Sequence, residues 1–146
     1  MSQTGPQATP TVGHVNQEPD ATAPDGSEIR LLIDQRHLAV RASLCEVTLP
    51  AGQVSRPVRH RTVEEIWYVL EGTGQVWRSS RTTGSEPRET VTIGPGDALT
   101  IPTGWRFQFS AGSQTALRFL CYTNPPWPGP EEAVPVEHGG LGESTV

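Results

Sequence analysis

The central part of the chain consists of short stretches in which apolar and polar residues alternate, separated by clusters of glycine, proline and aspartate. Alternation with a period of two is typical of β-strands that bury one face, and no stretch has the 3.6-residue period of an amphipathic helix. We predict strands in 31–40 and 41–50, a hairpin in 65–80 that turns at 71–74, a polar loop at 82–87, two or three strands in 88–112, and a last strand in 114–123. Regular short strands of this kind predict an all-β sandwich or barrel.

The two ends of the chain differ in composition from this central part. Residues 1–27 contain Gln, Thr, Pro, Ser and Gly with almost no large apolar side chain. They cannot offset the entropy of ordering, so we predict a disordered tail there, followed by a barrel over 28–126. The stretch 127–146 is rich in proline and glycine, and we expect an extended tail whose first part Trp127 and Val134 attach to the barrel.

Charge and apolar content argue against two classes of partner. The net charge is −5, and all 11 basic residues are arginine. The one local cluster, Arg56, Arg59 and Arg61, lies beside Glu64 and Glu65, so we expect no nucleic-acid partner. No apolar run reaches the length of a membrane span, and the N-terminus lacks the features of a signal peptide. We therefore expect a cytoplasmic protein with no membrane partner.

The two cysteines, Cys45 and Cys121, have neither CxxC nor zinc-finger spacing. In a reducing compartment we expect both to be small buried hydrophobes. A disulfide or a reactive thiol is the minority alternative.

Two stretches framed by glycine carry the most specific pattern in the chain. In the first, Gly52 is followed by five residues, then by Val58, Arg59 and His60, four residues, Glu65, six residues and Gly72. In the second, Gly96 is followed by five residues, then by Pro102, Thr103 and Gly104, two residues, Phe107, three residues and Ala111.

These stretches resemble the two motifs of the cupin superfamily of small double-stranded β-helix barrels. The first family motif is glycine, five residues, His-x-His, three or four residues, Glu, six residues, glycine. The second is glycine, five residues, Pro-x-Gly, two residues, His, three residues, Asn. The resemblance covers about 38–126 and implies a cupin (jelly-roll-like) barrel, as in the small single-domain bacterial cupins loosely labelled mannose-6-phosphate-isomerase-like. It implies a degenerate metal site, because His60 and Glu65 remain while Val58 and Phe107 replace two ligands.

Strand periodicity indicates which side chains line the barrel. If His60 points inward, Val58 does too, and Glu65 and Trp67 share the inward phase after the turn. Residues on one face of the later strand complete the predicted pocket: Trp105, Phe107 and Phe109. Arg41 belongs to the pocket if its side chain points to the inside of the barrel from the strand predicted at 41–50, and it is a surface arginine if it points outward. An aromatic pocket with one His/Glu pair suits a small, partly apolar organic ligand.

A divalent metal in a catalytic site usually has three protein ligands, and the motifs retain two, His60 and Glu65. The remaining histidines near the ordered part, His37 and His138, lack motif spacing. We therefore expect no cofactor, with Fe, Mn, Zn or Ni at His60 and Glu65 as the alternative.

Three functions are compatible with this pocket. The first is a metal-independent isomerase, lyase or cyclase in which His60 and Glu65 form an acid–base pair. The second is a metal-dependent, dioxygenase-like cupin with an atypical ligand set. The third is a non-catalytic metabolite-binding cupin, in which the pair only satisfies two buried polar groups. Whether the protein is an enzyme stays open at this point. The resemblance also implies a homodimer, with residues 29–42 near the interface.

Overall fold

The computed structural model describes residues 8–80 and 88–146, and it confirms the predicted all-β fold with two antiparallel sheets. The first seven residues of the predicted N-terminal tail and the predicted polar loop at 82–87 lie outside the described residues. The strands are β1 (Ala21–Thr22), β2 (Glu28–Ile33), β3 (Ser43–Leu49), β4 (Val58–His60), β5 (Glu64–Glu71), β6 (Gly74–Ser79), β7 (Arg88–Ile93), β8 (Ala98–Ile101), β9 (Arg106–Ala111), β10 (Leu117–Asn124) and β11 (Ala133–Pro135). Two short 3₁₀-helices, Gln35–His37 and Pro130–Glu132, are the helical elements of this described part.

The strands form a six-stranded sheet in the order β1-β2-β3-β10-β5-β8 and a five-stranded sheet in the order β11-β4-β9-β6-β7. The inward faces of the two sheets hold the core, and alternate residues are buried most clearly on β4, β5 and β10. The largest fully buried side chains are aromatic: Trp67, Phe107, Phe109 and Phe119. Trp67 stacks on Phe119 with ring centroids 4.1 Å apart and meets Phe109 edge-on at 5.1 Å.

The strands predicted at 65–80 exist, but their pairing as a hairpin is wrong. β5 pairs with β10 and β8, whereas β6 pairs with β7 and β9 in the other sheet. The turn between them passes through Gly72, whose φ of +80° is the left-handed region that glycine adopts without strain. The chain therefore crosses from one sheet to the other at this turn.

The strand predicted at 31–40 ends early. β2 stops at Ile33, and Asp34 then caps the helix Gln35–His37 by accepting a hydrogen bond from the Arg36 backbone N–H. His37 Nδ1 accepts from the Asp34 N–H at 3.2 Å and so completes a capping box. His37 thus has a local structural role.

Residues 8–27 of the predicted disordered tail make contacts with the barrel. β1 pairs with β2, and the Asp20 carboxylate accepts a hydrogen bond from the Leu31 N–H at 2.8 Å. Arg30 reaches back to the carbonyls of Asn16 and Gln17 at 3.0 and 2.8 Å. Low apolar content does not prevent these contacts, because they satisfy polar groups along the edge of β2 rather than bury apolar area.

The C-terminal stretch is extended, as predicted, and follows the barrel closely. β11 pairs with β4, which places Ala133 opposite His60. Further along, the buried amide of Gln108 donates to the Gly142 carbonyl at 2.8 Å and accepts from the Leu141 N–H at 2.8 Å. Close to the end of the chain, the Thr145 N–H donates to the Val54 carbonyl at 2.9 Å.

In the part of the chain that the structure describes, no helix has the length and apolar content needed to cross a membrane.

Candidate functional site

A cavity of about 680 Å³ lies at the inner face of the six-stranded sheet, within the range of roughly 300–1,000 Å³ that is usual for small-molecule sites. Its wall comes from β2, β3, β5 and β10, from His60 at the end of β4, from Phe109 on β9, and from the segments 23–27 and 126–128. The exposed lining residues lie in 31–40 and at Pro128. The cavity therefore opens to solvent between these two segments.

The structure brings the predicted His/Glu pair together in this cavity. The His60 Nε2 atom lies 3.7 Å from the Glu65 Oε2 atom, and both side chains are buried. The connection between β4 and β5 holds the pair, because only four residues separate the two positions. The distance is too long for a direct hydrogen bond, so a substrate atom could contact both groups.

Glu65 is held by its other neighbours in the core. Its Oε1 atom accepts a hydrogen bond from Trp67 Nε1 at 2.8 Å. Burial raises the pKa of Glu65 to about 7; the Trp67 hydrogen bond opposes this, and the nearby carboxyl of Asp25 adds to it. The Cys121 thiol also hydrogen-bonds to Glu65. Glu65 therefore exchanges a proton near neutral pH.

The pKa of His60 is shifted in the opposite direction from that of Glu65. Burial lowers its pKa to about 4, against the attraction of the Glu132 carboxylate, so the imidazole is neutral at physiological pH. Its ring lies edge-on to Phe107 and Trp127, with centroids 5.1 and 5.4 Å away. Its Nδ1 atom is buried and has no hydrogen-bond partner in the described structure. Burying a polar atom without a hydrogen-bond partner costs free energy, and a catalytic or binding role is one explanation for such an atom in a folded protein.

The other predicted pocket residues divide into three groups. Trp67 and Phe109 line the cavity. Val58 and Phe107 are buried on the same strand faces but lie among the core side chains, outside the cavity lining. Trp105 packs against this core and Arg41 is exposed, and neither lines the cavity. The open question about Arg41 is thus resolved toward a surface arginine.

Two carboxyl groups near the site were not anticipated from the sequence. Asp25 lines the cavity, and burial raises its pKa. The Ser27 N–H and hydroxyl hold its Oδ1 atom at 2.9 and 2.6 Å. The signal that could have found this residue is the Pro24-Asp25-Gly26 run, a turn sequence inside the predicted tail.

Glu132 is the second of these carboxyl groups and is buried below the connection between β4 and β5. It accepts hydrogen bonds from the Thr62 N–H at 2.6 Å, the Thr62 hydroxyl at 2.7 Å and the Val63 N–H at 2.8 Å. Burial acts to raise its pKa, but these bonds outweigh burial and lower it. Glu132 thus fixes the short connection that carries His60 and Glu65. No local sequence pattern distinguishes it from its exposed neighbour Glu131.

The two cysteines face each other across neighbouring strands, with Cys45 on β3 opposite Cys121 on β10. Both are free thiols that line the cavity. The pKa of Cys121 is raised by its hydrogen bond with Cys45, by burial and by the charge of Glu65. Cys121 is therefore a neutral thiol and a donor to Glu65.

The described donor set does not fit the metal centre that the motifs resemble. Val58 and Phe107 present hydrocarbon at two of the four ligand positions. In 8–80 and 88–146, no group of three or more His, Cys, Asp or Glu side chains is arranged to hold a metal ion. Two protein ligands are fewer than the three of usual catalytic sites, so no chemical step is assigned to a metal here.

Comparison with known proteins agrees with the fold and the motifs. Residues 45–123 match the family described as Cupin domain. This protein is a cupin. Over 104 residues, this cupin is 33% identical to an uncharacterised protein of Methanocaldococcus jannaschii, covering 70% of this chain and 77% of that protein.

Solved structures similar to this cupin include two enzymes. The polyketide cyclase RemF from Streptomyces resistomycificus is 26% identical with a TM-score of 0.62, over 94% of this chain and 89% of RemF. Pac13, a nucleoside dehydratase of Streptomyces, is 15% identical with a TM-score of 0.62, over 97% of this chain and 100% of Pac13. The second likeness is evidence for the fold alone.

Proposed function

We propose that this cupin is an enzyme that moves protons on a small organic substrate without a metal, in an isomerase, lyase or cyclase reaction. The observation that carries the proposal is a carboxyl group with a pKa of about 7, Glu65, in a cavity beside the neutral imidazole of His60. A proton-transfer group is most effective when its pKa lies near the working pH.

The two pKa values suggest a division of roles. The Glu65 carboxylate is the stronger base of the pair, so it removes a proton from a carbon or hydroxyl group of the substrate and later returns it. Neutral His60 donates a hydrogen bond from Nε2 to the substrate oxygen on which negative charge develops. The unpartnered Nδ1 atom favours the tautomer with the proton on Nε2, because burying an acceptor costs less than burying an N–H donor.

The likeness to RemF supports this class of chemistry. RemF is a polyketide cyclase, and its similarity to this chain extends over nearly the whole length of both proteins. A cyclase that forms carbon–carbon bonds needs a base for an acidic C–H and a donor for a carbonyl oxygen, and Glu65 and His60 are suited to these roles. The aromatic wall of Trp67 and Phe109 suits a flat substrate.

The proposal is tested with a carbonyl probe whose C–H proton is acidic. Wild-type protein should accelerate the exchange of the α-protons of 2-tetralone into D₂O, followed by NMR. Glu65→Gln should lower the rate by at least about a hundredfold, the usual range for a lost acid–base group. The matched control is Glu64→Gln, since Glu64 is the exposed neighbour on the same strand.

The pH dependence is a second readout of the same experiment. The rate should rise as the pH increases through about 7 and then level off, because the carboxylate form of Glu65 is the active one. A rate equal to the buffer background, or a Glu65→Gln variant as active as wild type, would leave a non-catalytic binding role instead.

We also propose that this cupin forms a homodimer through 29–42. Exposed apolar side chains in this segment, Leu31, Leu38 and Val40, support the proposal. Light scattering at micromolar concentration should give the mass of a dimer for wild type and of a monomer for Val40→Glu. A wild-type monomer would contradict it.

A further inference from the structure

The charged groups around the cavity are predominantly acidic. Glu65 and Asp25 both line it, and the charge of Asp25 is close enough to raise the pKa of Glu65. The buried Glu132 carboxylate acts on Glu65 in the same direction. Three carboxyl groups from three different parts of the chain therefore act on the space beside His60.

Positive charge that could balance these carboxyl groups is not available in the described lining. Arg36 is the lining arginine, and Asp34 already pairs with it at two points, Nε to Oδ1 at 3.0 Å and Nη2 to Oδ2 at 3.0 Å. His60 is neutral because burial disfavours its charged form. Outside the lining, the charge of Arg56 acts to lower the pKa of Asp25, but burial outweighs it, and the Arg56 Nε atom donates to the Val146 carbonyl at 2.8 Å. An anionic ligand group in this cavity would therefore lose its hydration and lie beside carboxyl groups, with the lining arginine already paired.

The remaining surface of the cavity is suited to flat rings. Trp67 and Phe119 are stacked, Phe109 lies edge-on to both, and Trp127 closes the side next to His60. Aromatic walls bind uncharged or cationic rings through dispersion and through the negative faces of their π-systems.

We propose that this pocket selects a ring-containing ligand without negative charge, and that Asp25 and Glu65 together set this selection. That the ligand is a substrate rests on the proposed function. That the ligand carries no negative charge rests on the residues of the cavity alone. A carboxylate or a phosphate on the part of the molecule that enters the pocket is excluded. Hydroxyl and carbonyl oxygens are accepted, because His60 and protonated Glu65 can donate hydrogen bonds to them.

The test uses three probes of one shape that differ in charge: 2-naphthylmethanol, 2-naphthylmethylammonium and 2-naphthoate. Binding is followed at about pH 8, above the pKa of about 7 of Glu65, through the NMR signal of the Trp67 indole N–H. This proton is hydrogen-bonded to Glu65 and therefore reports on the site. The signal is assigned by its loss in Trp67→Phe.

The alcohol should bind at least about tenfold more tightly than the carboxylate, since 1.4 kcal/mol of repulsion is sufficient for that ratio. The ammonium probe should bind at least as tightly as the alcohol. The ammonium probe distinguishes two explanations for weak binding of the carboxylate. Repulsion by the carboxyl groups of the cavity would weaken the carboxylate alone, whereas the cost of burying any charge would weaken both charged probes. A carboxylate within twofold of the alcohol, an ammonium probe as weak as the carboxylate, or no shift of the Trp67 signal with any probe would each overturn the proposal.

Asp25→Asn keeps the shape of the side chain and an acceptor for Ser27, and it removes one of the two carboxyl groups that line the cavity. It should reduce the preference for alcohol over carboxylate by at least about threefold. Glu28→Gln is the matched control, because Glu28 is three residues away and outside the cavity lining. An unchanged preference in Asp25→Asn would overturn the role of Asp25.

The naphthyl probes are not substrates for proton abstraction, so their binding is independent of turnover. If the charge preference holds while 2-tetralone exchange stays at background, the proposed catalytic function fails and the charge selection stands. If exchange is catalysed but the carboxylate probe binds as well as the alcohol, the charge selection fails and the catalytic function stands.

Discussion

The barrel strands and the two terminal segments build the same cavity from opposite materials. The strands contribute buried apolar side chains, led by Trp67 and Phe109, together with the His60/Glu65 pair. The terminal segments have little apolar content apart from Trp127. Asp25, from one end, adds a carboxyl group to the lining, and Glu132, from the other, holds the connection that carries the pair.

This difference shows that the two parts are ordered by different forces. The strands bury apolar area, which stabilises at about 25 cal/mol per Å². The segments satisfy polar groups that the barrel leaves unpaired, as Glu132 does for the backbone of Thr62 and Val63. Leaving such donors unpaired in the folded protein is expensive, so a segment without a core of its own can still be held in place.

The largest loss of stability should come from removing a buried apolar side chain of the barrel strands. Phe109 is fully buried and contacts Trp67 and Phe119, so Phe109→Ala should lower the free energy of unfolding by about 3–5 kcal/mol. Urea denaturation measures this loss. Tyr68→Ala on the outward face of β5, where the ring is 48% exposed, should cost less than about 1 kcal/mol. Equal losses for the two variants would contradict the placement of the core.

In the terminal segments, removing a single carboxylate should cause a comparable loss of stability. Glu132→Ala leaves two backbone N–H groups and one hydroxyl without a partner, and should cost about 2–4 kcal/mol. The neighbouring Glu131→Ala, at an exposed position, should change stability by no more than about 0.5 kcal/mol. Thermal and urea unfolding of both variants decide this. A mild Glu132→Ala would mean that the C-terminal segment does not support the site.

The pKa shifts of His60 and Glu65 should each contribute to the pH dependence of stability. The pKa of Glu65 is raised from 4.5 to about 7, so the folded state holds its proton more tightly and stability falls as the pH rises through this range. The pKa of His60 is lowered from 6.5 to about 4, so stability rises with pH between these values. The two slopes cancel between pH 4.5 and 6.5 in the wild-type protein.

Removing one member of the pair should reveal the slope of the other. Glu65→Gln should become more stable from pH 4.5 to 6.5 by roughly 2–3 kcal/mol, and His60→Gln should change in the opposite direction. Urea unfolding at a series of pH values measures both slopes, with Glu64→Gln as the control that stays flat. Parallel curves for the two site variants would contradict the opposed pKa shifts.

The smallest effect concerns the N-terminal segment. Ser27 is buried and donates to Asp25 from both its N–H and its hydroxyl, so Ser27→Ala should cost about 1 kcal/mol. Ser144→Ala, at an exposed position near the other end, should have no measurable effect. If Ser27→Ala is neutral in thermal unfolding, the segment around Asp25 is held by its backbone bonds alone.

Much of the fold could be predicted from periodicity and glycine spacing, because both report local backbone requirements. The inward phase of Val58, His60, Glu65 and Trp67 was correct for this reason. The partner of each strand was harder to predict. The turn at Gly72 has the sequence of a hairpin, yet β5 and β6 pair in different sheets, since pairing depends on contacts distant in sequence.

The sequence by itself determined the barrel, its two motifs and the loss of two metal ligands at Val58 and Phe107. Those features are written in local spacing and in side-chain chemistry. Only the tertiary structure decided that Asp25 and Glu132 act on Glu65, that Arg41 stays outside, and that His60 is neutral while Glu65 exchanges a proton near pH 7. The physical reason is that burial and electrostatic neighbours set a pKa, and both come from residues far apart along the chain.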